Sequence, residues 1–259
     1  MSIQARCTAT EDKQMTLPFL HAVRKPIDGF YNLRDLGGLP GAQNKITKYG
    51  QFLRSDVPRP MSSDALAYLS AFPVRLSVDL RTSGERKKHP SALSGQKGIK
   101  ELHIPMIEDD QMDLFFTQFD PSSKTILGDF YIYLLDHNGR QIAAVLQSLS
   151  EVGDGTALYH CQQGKDRTGI ISALLLMLAG VGDEDIVANY EISFSYIKSS
   201  VLPIMDRYPD HMKQILRSDY PNMEKMLNHF YQHHHSAQDY LQNAGCSPAT
   251  LEILRSKLI

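Results

Sequence analysis

Between residues 74 and 80 the chain alternates strictly, with Val74, Leu76, Val78 and Leu80 apolar and polar residues between them. A period of two marks a strand with one face buried. Segment 99–107 is a second strand candidate, and the short apolar run 156–160 a third. Helical spacing appears at 63–72, with Ser62 or Ser63 as N-cap, and at 126–135 and 141–149, separated at Asn138-Gly139. Segment 168–178 is apolar on nearly every side and predicts a buried helix. Residues 28–57 carry Gly29, Gly37, Gly38, Gly41 and Gly50 between short runs such as Gln51-Phe52-Leu53-Arg54, a pattern of short strands and tight turns. The acidic stretch 108–124 reads as irregular. From Asp183 onward helical patterns dominate, broken at Pro203, Pro209, Pro221 and Pro248. Strands in the first two thirds with helices throughout predict an α/β layer fold with a helical C-terminal part.

No repeat or low-complexity linker divides the chain. The expected organisation is one domain over 1–259: an N-terminal arm (1–27), an α/β core (28–182) and a helical part packed on it (183–259). At 259 residues, area scaling implies that roughly 70–75% of the extended chain's surface is buried on folding, so one core of that size is feasible. A hydrophobic fraction of 42% excludes a disordered chain. With 27 basic and 29 acidic residues, the net charge of −2 excludes a bulk nucleic-acid or membrane-surface binder. The longest apolar run, Ala173 to Ala179, is far too short to span a membrane. The N-terminus lacks the apolar core of a signal peptide, so a cytoplasmic protein is expected, although a non-standard export route would leave no such mark. Cys7, Cys161 and Cys246 are odd in number and widely spaced, which fits reduced thiols rather than a disulfide framework or a thiolate zinc site.

One of those cysteines stands in a segment unlike the rest, His160-Cys161-Gln162-Gln163-Gly164-Lys165-Asp166-Arg167-Thr168-Gly169. It lies between a predicted strand and a predicted helix. Backbone N–H groups of such a loop, together with the helix dipole, form an anion-binding concavity. Gln162, Gln163, Gly164, Lys165, Asp166 and Arg167 are its candidate phosphate-binding positions. Gly164 allows close backbone approach, and Arg167 can clamp two phosphate oxygens. A helix N-terminus and a nearby guanidinium favour the thiolate of Cys161. A thiolate facing a bound phosphate is placed for in-line attack on phosphorus.

This segment resembles the HCxxGKDRTG loop of bacterial tyrosine and dual-specificity phosphatases of the cysteine-dependent superfamily. The resemblance continues in Asn32-Leu33-Arg34-Asp35-Leu36-Gly37-Gly38, in Leu53-Arg54-Ser55, in Val78-Asp79-Leu80-Arg81-Thr82 with Glu85, and in the closing segment from Tyr240 through Leu254. It implies a four- or five-stranded, mostly parallel sheet flanked by helices. It also implies a cofactor-free phosphatase acting through a phosphocysteine at Cys161, with Arg167 stabilising the transferring phosphoryl group and Thr168 donating its hydroxyl to the sulfur. His160 is expected to organise the loop. Substrates of the resemblance are phosphorylated proteins, phosphotyrosine first and phosphoserine or phosphothreonine next, or a phospholipid headgroup. Lys165 suits a phosphoinositide, whereas Gln162 stands where lipid-phosphatase relatives carry a second lysine.

A general acid is also needed. The chain has no tryptophan, so the tryptophan-bearing acid loop of eukaryotic relatives is excluded. Asp79, at a strand end that shares an edge with the Cys161 loop, and Asp166, inside that loop, are the leading candidates, followed by Asp109 or Asp110. His229, His233, His234 and His235 lack a metal-site pattern and read as a solvated helix end, so no metal is expected. Two other classes fit less well: a phosphate-recognising module with vestigial activity, and a thiol-based arsenate or redox enzyme, which would need a resolving cysteine.

Overall fold

The computed structural model describes residues 24–118, 120 and 123–259. In chain order the elements are β1 (Arg34–Asp35), β2 (Phe52–Ser55), α1 (Ser63–Ala71), β3 (Val74–Asp79), α2 (Ser83–Lys88), β4 (Lys100–His103) and α3 (Asp109–Gln118). They continue with α4 (Ile126–His137), α5 (Gly139–Ser150), β5 (Thr156–His160), α6 (Asp166–Leu178), α7 (Asp183–Met205) and α8 (Asp210–Lys213). The C-terminal helices are α9 (Tyr220–His233), α10 (Ala237–Ala244) and α11 (Pro248–Leu258).

The strands form one sheet in the order β1-β2-β5-β3-β4, parallel except for β1 against β2. The expected four- or five-stranded, mostly parallel sheet thus has five strands. The central strand β5 is buried along its whole length, and its residues alternate between the two faces. Ala157 and Tyr159 join the larger apolar cluster with α4, α5, α6 and the C-terminal helices. Leu158 turns the other way, onto Leu53, Leu69, Val74 and Leu93. The two-residue period thus sorts side chains into two layers. Helix α6 follows β5 and is buried from Arg167 to Leu176, as its all-round apolar sequence predicts. Helix α9 packs on α4, and α11 on α5 and α6, so the helical C-terminal part closes one face of the core.

Several expectations shift. The stretch 108–124 is not wholly irregular, because α3 occupies Asp109–Gln118. Its acidic first turn complements the helix dipole, and Phe115 and Phe116 pack on Phe130. The strand expected at 99–107 pairs regularly only over Lys100–His103, although the N–H groups of Ile104 and Met106 still reach the carbonyls of Asp79 (2.9 Å) and Leu80 (3.3 Å). Pro203 does not break its helix. It sits in the last turn of α7, where few bonds remain to be lost. Pro221 and Pro248 instead open helices α9 and α11, where the missing N–H is harmless. Helix α6 begins at Asp166, so Asp166 and Arg167 belong to its first turn. Of the expected N-terminal arm, residues 1–23, including Cys7, lie outside the described residues. Arg24 bridges Arg34, and the Lys25 N–H bonds to Leu33. Among the described residues no helix is long and apolar enough to cross a membrane.

Candidate active site

The parallel strands end in register. Ser55 of β2 and Asp79 of β3 both lie beside His160 of β5, and His103 of β4 lies beside Asp79. The residues that leave these ends therefore meet at one edge. From β5 comes the loop Cys161–Lys165, from β3 the turn that carries Arg81, Thr82 and Glu85, and from β2 Asp56.

The loop's shape is set by bonds to its outer side. Asn32 Nδ2 donates to the carbonyls of Gln163 (2.9 Å) and Gly164 (3.0 Å). Arg54 Nη2 also donates to Gly164 O (2.8 Å), and Val57 N–H to Gln162 O (3.3 Å). In a trans peptide the N–H points opposite to its C=O. Tying these carbonyls outward therefore turns the N–H groups of Gln163, Gly164 and Lys165 inward, around Cys161. Gly164 must be glycine: its φ is +69°, and a Cβ would lie 2.4 Å from the carbonyl of Ser55. Asn32 is itself held, because its Oδ1 accepts from Arg34 and its N–H donates to Asp56 Oδ1 (2.9 Å). Arg34 continues to Ser193 Oγ (2.9 Å), and Arg54 Nη1 to Asn189 Oδ1 (2.7 Å), which anchors the loop to α7.

Positive charge converges on this edge. Arg54, Lys165 and Arg167 are all buried beside the loop. Arg167 is clamped by Glu85, whose carboxylate accepts from Nη1 at 2.5 Å and from Nη2 at 2.8 Å. Burial alone would lower the Arg167 pKa, but the Glu85 hydrogen bonds and charge outweigh it and hold the group above its ordinary value. Burial would raise Glu85, and the same pair leaves it below the usual carboxylate range. Glu85 is fixed in turn by a capping box with Thr82 at the start of α2. The clamp takes one N–H from each terminal nitrogen, so Nε and the remaining Nη hydrogens stay available for phosphate oxygens.

The three aspartate candidates differ. Asp79 is fully buried, and both oxygens accept from its neighbour Arg81, at 2.9 Å from Nε and 2.7 Å from Nη2. Burial would raise its pKa, but the Arg81 bonds and the nearby His160 lower it. Asp109 accepts from the Thr82 hydroxyl and from Gly84 N–H (2.8 Å), bonds that hold it below the usual range and organise the turn before Glu85. Asp110 is exposed in the same helical turn. Asp166 is partly exposed, and its Oδ1 takes the Tyr131 hydroxyl (2.6 Å) and Lys165 Nζ (2.7 Å). No hydrogen bond reaches its Oδ2 among the described residues. Thr168 Oγ1 is buried and has no hydrogen-bond partner there either, Cys161 Sγ included. Burial pushes His160 down to about 4, so its ring is neutral, and its Nδ1 lies 3.9 Å from Asp79. Gln162 Oε1 accepts from Arg81 (3.3 Å).

A model of the tyrosine phosphatase family matches residues 25–259. The chain belongs to the tyrosine phosphatase family. It is 31% identical over 254 residues to a tyrosine-protein phosphatase of Nostoc commune, covering 93% of this chain and 78% of that protein. It is 33% identical over 172 residues to a putative tyrosine-protein phosphatase of Cupriavidus necator, covering 63% of this chain and 60% of that protein. Crystal structures of P. aeruginosa TpbA, one in complex with pTyr, are more distant. Their TM-scores are 0.38 and 0.40 at 16% and 15% identity, with 69% and 91% of this chain and 90% and 94% of theirs covered.

In this tyrosine phosphatase the sequence expectations Cys161, Gln162, Gln163, Gly164, Lys165, Asp166, Arg167 and Thr168 come together at one sheet edge, with Asp79 below them and Asp109 beside them. The histidines do not join. His229 pairs with Asp136 (3.0 Å) and stacks on His233, and the described residues hold no metal-ligand cluster. Sequence reasoning gave no role to Asn32, Arg54 and Glu85, although the motifs that contain them were visible. It also passed over Tyr131, whose stripe reads as plain core.

Proposed function

We propose that this enzyme hydrolyses phosphotyrosine-type monoesters through a phosphocysteine at Cys161. The observation that carries the reading is the loop whose carbonyls are tied outward by Asn32 and Arg54, with Cys161 at its base and Arg167 braced by Glu85 at its rim. Inward N–H groups and the guanidinium match the equatorial oxygens of a transferring phosphoryl group. The sulfur attacks phosphorus in line as the P–O bond to the leaving group breaks, and water then releases phosphate from sulfur.

Asp166 serves as general acid and then as general base. It is partly exposed at the loop itself with one oxygen uncommitted, whereas Asp79 is buried against Arg81, and Asp109, though accessible, has both oxygens taken, Oδ1 by the Thr82 hydroxyl and Oδ2 by Gly84 N–H. Asp79 instead fixes Arg81, which reaches Gln162 in the loop. Thr168 supplies a hydroxyl that lacks a partner in the resting protein. Leaving it unpaired costs about 1–3 kcal/mol, and a sulfur thiolate leaving from phosphorus would use it. Lys165 is buried and its ammonium is tied to Asp166 Oδ1 at 2.7 Å, so it does not reach outward towards a second phosphate. That favours phosphotyrosine over a polyphosphorylated headgroup.

Aryl phosphate hydrolysis tests the reading. Turnover without added metal, inhibition by vanadate and loss of turnover in Cys161→Ser are expected. A panel of phosphotyrosine, phosphoserine and phosphothreonine peptides and phosphoinositides should rank phosphotyrosine first. Retained turnover in Cys161→Ser would overturn the covalent route.

A further inference from the structure

Both donors that reach Asp166 arrive at one oxygen. The Tyr131 hydroxyl and the Lys165 ammonium converge on Oδ1, at 2.6 and 2.7 Å. Tyr131 lies on α4 and is fully buried, and its hydroxyl also meets that of Tyr190, on α7, at 2.8 Å. Their rings meet edge to face at 5.8 Å. A phenol has one proton to donate. Since Tyr131 gives its proton to Asp166, Tyr190 must donate to Tyr131, and the chain runs Tyr190 to Tyr131 to Asp166. Burial and the nearby Asp166 charge hold both phenols well above their ordinary values, so both remain donors. Phenylalanine would fill either apolar position equally well. Among the described residues the two hydroxyls bond to each other, and that of Tyr131 to Asp166 Oδ1.

We propose that Tyr131, backed by Tyr190, is a positioning residue for the acid–base step: it commits Asp166 Oδ1 as an acceptor and leaves the exchangeable proton on Oδ2. As the Sγ–P bond forms and the P–O bond breaks, the Oδ2 proton passes to the leaving oxygen. As water attacks phosphorus and the S–P bond breaks, Oδ2 takes a proton from the water. The inference rests on Asp166 being the acid, as argued above. The arrangement orients the carboxyl group by hydrogen bonds behind it rather than by contact with substrate.

The test measures kcat/KM, which reports the phosphorylation step, for p-nitrophenyl phosphate and for phenyl phosphate. The nitrophenolate leaves unaided, and phenolate needs its proton. Asp166→Asn should lower the phenyl phosphate value by ~100-fold and the nitrophenyl value far less. Tyr131→Phe should lower phenyl phosphate by about tenfold, with a smaller change for nitrophenyl phosphate and in KM. Tyr190→Phe should shift the ratio in the same direction by less. In the double variant Asp166→Asn/Tyr131→Phe the second change should cost nothing more, because both act through one proton. If Asp166→Asn changes the ratio between substrates and Tyr131→Phe and Tyr190→Phe do not, the positioning role is refuted. If Asp166→Asn leaves the ratio unchanged, the acid assignment itself falls. A lower melting temperature of Tyr131→Phe with an unchanged ratio marks Tyr131 as a packing residue and also refutes the inference.

Discussion

Glu85→Gln isolates what the carboxylate does for Arg167. Glutamine also completes a capping box, so the start of α2 and the Thr82 N–H bond of 3.0 Å should survive. The lost parts are the charge and one of the two acceptors that fix the guanidinium at 2.5 and 2.8 Å. A hydrogen bond to a charged group contributes roughly 1.5–3 kcal/mol. At about 1.4 kcal/mol per factor of ten, that corresponds to ~10- to 150-fold in rate if it is expressed in the transition state. The Glu85 side chain is 21% exposed, and solvent weakens the pair. The lower part of the range, about 10- to 50-fold, is therefore expected. The loss should fall on kcat rather than KM, because removing a negative charge near the site does not weaken ground-state binding of a phosphate dianion. Steady-state kinetics on phenyl phosphate, paired with thermal melting, reads both quantities. A kcat/KM within twofold of the parent would refute the bracing argument. A large drop in melting temperature would show that the capping role was not preserved.

Three further outcomes follow from the same geometry. Gly164→Ala places a Cβ 2.4 Å from the Ser55 backbone at a φ of +69°, so it should abolish turnover and destabilise the fold by ~1–3 kcal/mol in chemical denaturation. Asn32→Asp keeps the shape but replaces a donor to the Gln163 and Gly164 carbonyls with an acceptor, so the inhibition constant for inorganic phosphate should rise about tenfold or more while Asn32→Gln is milder. Burial holds His160 at about 4 in the folded protein against 6.5 when exposed, so the unfolded chain takes up the proton first and stability falls as pH drops from 6.5 towards 4. His234, also pushed down by burial, acts in the same direction. Urea unfolding across that range should show a shallower decline in His160→Gln than in the parent, and equal slopes would contradict the assignment.

The alternation at 74–80 and the apolar run at 156–160 identify β3 and β5 because a strand's period is visible in its own residues. Helix α6 is equally legible from its uniform apolarity. Helix α3 is not, because its acidic residues mask the packing of Phe115 and Phe116 on Phe130 of the next helix. Pro203 misleads for a similar reason: its effect depends on its place in the helix, which only the packing defines. At the site, Cys161, Gly164 and Arg167 are legible because one contiguous loop carries them. The supporting contacts are not, since Asn32 and Gly164 are 132 positions apart, and Arg167 and Glu85 are 82 apart. Tyr131 is hidden most fully. Its ring obeys the apolar stripe of α4, and only its hydroxyl departs from it.

Every step of the proposed mechanism passes through a covalent phosphoryl group on Cys161. Rapid denaturation of the enzyme at alkaline pH during turnover of an aryl phosphate, followed by peptide mass spectrometry without an acid step, measures it directly. A phosphoryl group on the peptide that contains Cys161, absent from Cys161→Ser, is the predicted result. Full turnover by Cys161→Ser, or a phosphoryl group carried on another residue, would contradict the account.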